Sequence, residues 1–499
     1  MPRKLPIFYS ALMLTGVNLL LRFVGTSFQV YLSGRIGAAG IGLLQLVMSV
    51  GGLAMVVAIG GIRTTTMYLT AEELGKGRPR NVTWVLSGCF LYSIIFSVTV
   101  SCLLYCSAPW IAANWIGDNR TVDALRLFAA FLPVSCLCSV MTGYFTAANR
   151  IGTLASVEVA EQAMSIALTL GSLTLWAGND PCKACLCVIL GSSLGAVLTL
   201  CCLIFLRLRE HMPKGDKIPV RSRLLQSAIP LALADDLKSG ITTAENLMVP
   251  KRLALNQATL NPLAAFGMVT GMVFPIIMFP AAILFGLTEL LIPELARCNA
   301  AGSKIRIHYL VKKSLQIAMV YGIFFCGLIF LLSEELCLRL YKNIDAAVYL
   351  KLYSLLIPML YCDAITDAMV KGLGQQKVCV RYNIITSALD VIFLFLLLPR
   401  YGMMGYYVSF LITHLINFIL SFRRLLKITI KKIPFYIPAF SVASVAFSIW
   451  AASYVVNPLV RIISFTLLLG SQLFLLKILT LSDVNWIKNL IYKKTSPVR

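Results

Sequence analysis

Residues 9–33 read YSALMLTGVNLLLRFVGTSFQVYLS, an apolar run that carries Asn18 and Arg22 four positions apart. A hydrocarbon core about 30 Å thick needs about 20 such residues per helical crossing, so the run is long enough to span a bilayer. Residues four apart share one side of a helix, and Asn18 and Arg22 therefore project together. A guanidinium at membrane depth is costly and ordinarily faces protein or a wet cavity rather than lipid. The run predicts an all-α membrane protein with a polar passage, and it makes Arg22 a residue of that passage.

The rest of the chain repeats the pattern. Hydrophobic residues make up 59% of the sequence and charged ones 13%, and the mean hydropathy is +0.83, which excludes an ordinary water-soluble domain. Further span-length stretches lie at 41–61, 82–105, 122–147, 154–176, 184–206, 224–249, 264–291, 315–332, 350–368, 380–398, 403–422, 433–456 and 460–479, so about fourteen transmembrane helices are expected. The first run continues past Arg22 without a small-residue cleavage site and is kept as a span rather than a signal peptide.

Basic residues alternate from loop to loop. One set of loops is rich in them, at Arg63, Lys76, Arg78 and Arg80, at Arg207 to Arg223, at Arg297 to Lys313, at Lys371 to Arg381 and at Arg423 to Lys432. The intervening loops show mainly Arg35, Arg120, Lys183, Lys251, Arg252, Arg339, Lys342, Arg400 and Arg461. Short cytoplasmic loops retain Lys and Arg, so both termini are expected in the cytoplasm and the protein is expected to be multi-pass. The net charge of +23 then reflects topology and attraction to membrane lipids with anionic headgroups, and no nucleic acid is called for.

An internal repeat organises the spans. Ser10-Ala11 resembles Ser227-Ala228, which sets Asn18 beside Asp235 and Arg22 beside Lys238; Gly40-Ile41-Gly42-Leu43 is echoed by Ala265-Phe266-Gly267-Met268. Six spans per copy is an even number, so the copies are related by an axis along the membrane normal and form two lobes, 1–213 and 214–430. Pro275, Pro280 and Pro293 are expected to kink the eighth span where neighbours can satisfy the freed carbonyls.

Helical spacing sorts the remaining polar residues. Asp235, Lys238, Thr242 and Glu245 fall on one face of the seventh span, and Glu158, Glu161, Gln162 and Ser165 on one face of the fifth. The Asp235–Lys238 couple is either part of a cavity or a self-neutralising pair that holds helices together. Catalysis finds little support: of His211, His308 and His414 only His414 lies in a span, where it reads as a packed polar residue, and no metal site or cofactor is expected. Cys182, Cys185 and Cys187 are close enough in sequence for a disulfide or metal, but small apolar packing suits them as well. Asn81-Val82-Thr83 matches a glycosylation pattern on the expected cytoplasmic side, where it has no use.

Arg22-Phe23-Val24-Gly25, Gly34-Arg35-Ile36-Gly37 leading into Gly40-Ile41-Gly42, and the stretch Gly143 to Asn149 followed by Glu158 and Glu161-Gln162 resemble the stage V sporulation protein B group. The second half resembles the same group through Phe266 to Met272, Pro275 to Pro280 and Gly372 to Lys377. The wider superfamily holds lipid II flippases, lipid-linked oligosaccharide flippases and MATE-type multidrug exporters. The resemblance implies a MATE-like fold whose last two helices, in 431–499, sit outside the lobes.

It also implies a bacterial cytoplasmic membrane protein that is a transporter rather than an enzyme. Its cargo would be an undecaprenyl-pyrophosphate-linked sugar for peptidoglycan made in sporulation, with cell-wall synthesis enzymes as partners. Lipid II flippases carry cavity arginines, one on the first helix, and Arg22 matches that role. Arg63 is either a second such residue or a positive-inside anchor, and Lys238 stands where those flippases use further arginines. The expected substrate-binding set is thus Arg22, Asn18, Lys238, Asp235, Glu245 and Arg63. Glu158, Glu161 and Asp235 are candidates for a coupling proton or monovalent cation. A MATE-type drug and cation antiporter, or a non-transporting scaffold for cell-wall enzymes, is the alternative.

Overall fold

The first helix breaks where the sequence changes span. In the computed structural model α1, Ile7–Ile59, contains Gly37 at φ 72° and ψ 176°, a conformation that side-chain-bearing residues avoid. The break falls between the stretches 9–33 and 41–61 and divides the helix into two arms. Gly60 and Gly61, at φ 49° and 67°, turn the chain again into α2, Ile62–Gly75.

The structure describes residues 7–76, 78–178, 180–209, 220–257, 259–428, 436–476 and 478, and every regular element among them is helical. Lipid offers no partner to a backbone amide, and a helix satisfies its own. The series continues with α3 Val82–Ile111, α4 Val122–Ala147, α5 Ile151–Ser172, α6 Pro181–Leu208, α7 Val220–Leu253, α8 Pro262–Gly267 and α9 Phe274–Ala300. It ends with α10 Lys304–Tyr341, α11 Asp345–Ser354, α12 Ile357–Gly372, α13 Gln376–Tyr401, α14 Met403–Ile428, α15 Tyr436–Ser453 and α16 Pro458–Leu475.

Each of the fourteen expected stretches falls mainly on helix where it is described, with turns or irregular backbone at 60–61, 355–356, 454–456 and 476. Nine described helices are by themselves long and apolar enough to cross a membrane, ten if α11 and α12, bent by 52°, count as one. The side chains of Asn18, Ser10, Ala11, Ser227, Ala228 and Pro293, the loop 210–219 with His211, and the chain beyond 478 lie outside the described residues.

The chain packs as two units. One holds α1 to α8, the start of α9 and Ile384–Thr413; the other holds Ile283–Asn383 and the chain from His414. These packing units differ from the lobe boundaries set by the repeat, because α7 and α8 lie against α1. The core of the first unit gathers Ile62 and Leu69 of α2, Val85 and Leu86 of α3, Tyr144 and Phe145 of α4, and Leu203 of α6. In the second unit Leu295, Ile307, Val311, Ile365, Met369 and Leu425 form one cluster. Phe465 and Leu469 of α16 pack on Ile323 of α10 in another.

Two features of the first unit follow directly from sequence. Gly42 and Gly267, aligned by the repeat, touch: a Cβ on Gly267 would overlap the Ala38 carbonyl and come within 2.6 Å of the Gly42 nitrogen. Only glycine lets α1 and α8 approach so closely. Pro275 has no N–H for the carbonyl of Gly271 four residues earlier, and the chain there forms a π-helical stretch, Met268–Val273. Gln29 Nε2 donates to that carbonyl at 3.3 Å, so a side chain from α1 supplies what the proline withholds.

Candidate functional site

At the level of Arg22, α1 is tied to α5. Gln162 Nε2 donates to the Leu21 carbonyl at 2.8 Å, and a Cβ on Gly25 would lie 3.1 Å from the same nitrogen. One residue back on α5, Glu161 accepts a hydrogen bond from Thr199 Oγ1 of α6 at 2.8 Å. Glu158 has Arg63 and Glu161 as its charged neighbours. Arg63 opens the first turn of α2, directly after the Gly60–Gly61 turn that aims this helix.

The first unit thus assembles Arg63, Glu158, Glu161 and Gln162 beside the stretch of α1 that carries Arg22. Arg22 and Arg63 are exposed, whereas both glutamates are half-buried. Exposed guanidiniums beside partly buried carboxylates can exchange an internal counter-charge for an external anion.

On α7 the expected charged face is the open one. Asp235, Lys238 and Thr242 are exposed and Glu245 is half-buried. The adjoining face does the packing: Thr243 Oγ1 donates to the Ser49 carbonyl at 3.2 Å and Asn246 Nδ2 to Ser49 Oγ at 3.0 Å. Asp236, passed over in the sequence, belongs to this face. It is partly buried near Tyr92, and its Oδ1 has no hydrogen-bond partner among the described residues. A cavity of about 360 Å³ lies further along α7, between Leu53, Trp115, Leu247, Met248 and Lys251; it is mainly apolar and does not include Arg22.

A second acidic group escaped the sequence reading. Glu245, whose Oε1 has no hydrogen-bond partner among the described residues, has the carboxylate of Asp390 on α13 as its charged neighbour. Tyr406, buried, faces both. Asp390 Oδ1 accepts from Ser409 Oγ at 2.5 Å and from Thr413 Oγ1 at 3.3 Å, both on α14. The signal was available, since Asp390 is the one charged residue between Arg381 and Arg400.

In the second unit Asp363 and Asp367 of α12 lie one turn apart. His414 Nδ1 is 3.1 Å from Asp363 Oδ2, and Asn417 Nδ2 donates to Asp363 Oδ1 at 2.9 Å. Asn383 Nδ2 donates to Asp367 Oδ2 at 3.1 Å, and Ser421 Oγ to Oδ1 at 2.9 Å. His414 is therefore a member of a polar network rather than simply a packed residue. Cys182, Cys185 and Cys187 are buried free thiols, so the disulfide is not formed. Asn81, of the glycosylation pattern, is buried and donates to Glu73 at 3.3 Å.

A family model described as "Polysaccharide biosynthesis protein" matches residues 8–233. The chain is 21% identical over 406 residues to stage V sporulation protein B of Bacillus subtilis (strain 168), covering 79% of this chain and 78% of that protein. The resemblance read from the motifs is borne out. Among solved structures, lipid II flippase MurJ in an inward closed conformation superposes with a TM-score of 0.69 at 12% identity, over 96% of this chain and 100% of that one. An inward-facing MATE family multidrug resistance transporter gives 0.67 at 13% identity, over 83% and 98%. The fold is that of these transporters. The chain is a multi-pass membrane protein of MATE-like architecture.

Proposed function

We propose that this protein is an alternating-access flippase that moves an undecaprenyl-pyrophosphate-linked sugar, lipid II or a related precursor, across the bacterial cytoplasmic membrane for peptidoglycan synthesis in sporulation. The observation that carries the reading is the pair of exposed guanidiniums, Arg22 and Arg63, in the unit that also holds the half-buried Glu158 and Glu161. A polyprenyl tail can remain in lipid, and only the pyrophosphate-sugar head needs shelter from it. Arg22 grips pyrophosphate through a planar, permanently charged fork, Lys238 adds a compact point charge, and Asn18 a neutral donor. The glutamates balance the cations while the site is empty.

Lobes 1–213 and 214–430 rock about this site, with the 431–499 helices outside them and both termini in the cytoplasm. A coupling proton or monovalent cation is taken by Glu245 and Asp390 or by Glu158, Glu161 and Asp235. The enzymes that make and consume the lipid-linked sugar are its partners. Arg22→Ala tests the reading: it should abolish rescue of a flippase-deficient strain while membrane expression persists, and full rescue removes Arg22 from the site. The Glu245–Asp390 pair favours one rival, a MATE-type cation antiporter. Binding of cationic drugs, but not of polyprenyl sugars, to the purified protein would establish that rival instead, and binding of neither would favour the scaffold.

A further inference from the structure

The cavity along α7 has two ends of different chemistry. Its volume is about 360 Å³, and its α7 wall runs from Gly240 to Arg252, with Leu53 of α1 and Trp115 beyond the end of α3 completing the lining. From Gly240 to Met248 that wall is apolar apart from the Thr243 hydroxyl, which is engaged with the Ser49 carbonyl. Lys251 and Arg252, in the last turn of the helix, form the other end. Eleven residues separate Gly240 from Lys251, about 16 Å of helix. A hydrocarbon core about 30 Å thick is about twice as deep, so the slot matches one leaflet and its cations reach headgroup level. Trp115 marks that level too: it is exposed, packs edge to face on Trp110 at 5.5 Å, and tryptophan collects where lipid meets water.

The two cations keep unused capacity. Lys251 Nζ carries three hydrogens and donates to a neutral group, the Asn114 carbonyl. The Arg252 guanidinium lies 3.3 Å from the ring centre of Phe395 on α13, and such stacking occupies the face of the fork while leaving its N–H edges free. Among the described residues no acceptor meets those N–H groups, and no carboxylate pairs with either cation. Topology does not account for the couple either, because Lys251 and Arg252 belong to the loops that the positive-inside pattern leaves poor in basic residues.

An inorganic anion would satisfy the cations and leave the apolar wall bare, and a plain hydrocarbon would do the reverse. A zwitterionic head would bring its own ammonium against two cations, so a net anionic head is favoured. We propose that the slot binds an anionic glycerophospholipid of the membrane, its phosphate held by Lys251 and Arg252 and one acyl chain laid along α7 as far as Gly240. Room for the chain end is present, since a Cβ on Gly240 would meet nothing within 4 Å. The cavity includes none of Arg22, Lys238 and Glu245, and the proposal does not rest on the flippase reading.

The test uses full-length protein in detergent, with bound lipid counted by native mass spectrometry. One phosphatidylglycerol should be retained about 10-fold or more tightly than phosphatidylcholine, as a charge-assisted contact to the head requires. Lys251→Ala combined with Arg252→Ala should erase that preference. Gly240→Phe, which fills the slot and leaves both cations in place, should weaken retention of both lipids. Equal retention of the two lipids, a preference that survives the double change, or a Gly240→Phe protein that holds phosphatidylglycerol as before overturns the proposal. If a variant does not fold, phosphatidylglycerol with a photoreactive group near the end of one acyl chain is cross-linked to the unaltered protein. The label should fall around Gly240, Ala244 and Leu53, and labelling confined to other positions overturns the site.

Two competitors separate the sources of phosphate. Neither inorganic phosphate at millimolar concentration nor purified lipid II should displace the bound phosphatidylglycerol. Displacement by phosphate would make the acyl chain irrelevant, and one-for-one displacement by lipid II would make the slot part of the transport site; either result overturns the proposal.

Discussion

The first unit leaves its cations exposed and the second closes its acids in. Arg22 and Arg63 are exposed beside half-buried glutamates, whereas Asp363 and Asp367 have each oxygen occupied by a hydrogen bond from a neighbouring helix. The contrast separates two uses of polar residues at membrane depth. An exposed guanidinium can be reached by an external anion, while a carboxylate surrounded by neutral donors is structural. Charge in a span therefore locates a polar face, and only the state of its partners says what that face can bind.

The strongest way to break this contrast is at Arg22. Each charged hydrogen bond to a pyrophosphate contributes about 1.5–3 kcal/mol, so loss of one or two lowers affinity about 10- to 100-fold or more. Titration of purified protein with lipid II should show that loss for Arg22→Ala and a partial loss for Arg22→Lys, which keeps the charge without the fork. Equal affinity in both variants and the unaltered protein would mean that the open cations have no anion to hold.

The position of Arg22 on a polar face was legible, because one charge in an apolar run is a strong signal and the i,i+4 rule assigns its side. So were the breaks, since Gly37, Gly60 and Gly61 sit where span patterns end, and the need to satisfy a freed carbonyl near Pro275, which Gln29 meets. The acids were harder. A step of one residue rotates a helix face by about 100°, enough to exchange the open Asp235 for the packed Asp236. Asp390 and Asp363 stood in spans and met the same rule that singled out Arg22. Their partners did not announce themselves: Ser409 and Asn417 are neutral, and they lie 19 and 54 residues from the Asp390 and Asp363 they bind. Periodicity within one helix carries no record of which donor on another helix it meets.

Asp367→Leu probes the closed side. The change removes the acceptor shared by the Asn383 amide and the Ser421 hydroxyl, and a buried donor left unpaired costs about 1–3 kcal/mol. Thermal unfolding in detergent should register a destabilisation of about 2–4 kcal/mol, and the added changes Asn383→Leu and Ser421→Ala should recover part of it. A single variant as stable as the unaltered protein would show that these acids are not structural, and the division between open and closed polar groups would fail on that side.

The smallest effect belongs to the same acid and guanidinium chemistry placed in water. Asp118, in the link between α3 and α4, accepts from Arg120 Nε at 3.1 Å and from its terminal nitrogen at 2.8 Å, with the Arg120 backbone N–H adding a third bond at 2.9 Å. The Arg120 side-chain hydrogen bond holds the Asp118 carboxyl below the ordinary carboxylate range, and partial burial opposes it. The acid is thus easier to ionise folded than unfolded. Its contribution to stability is present above the unfolded value, near about pH 4, and is lost as pH falls through the lower folded one. Solvent screening keeps the effect small and sensitive to salt. The difference in melting temperature between the unaltered protein and Asp118→Asn should shrink toward zero on acidification from about pH 6 to about pH 3 at low ionic strength, and largely vanish at about 1 M salt. A difference as large as that of Asp367→Leu, or one untouched by salt, would mean that this pair is shielded from water, and burial would no longer distinguish the two kinds of acid.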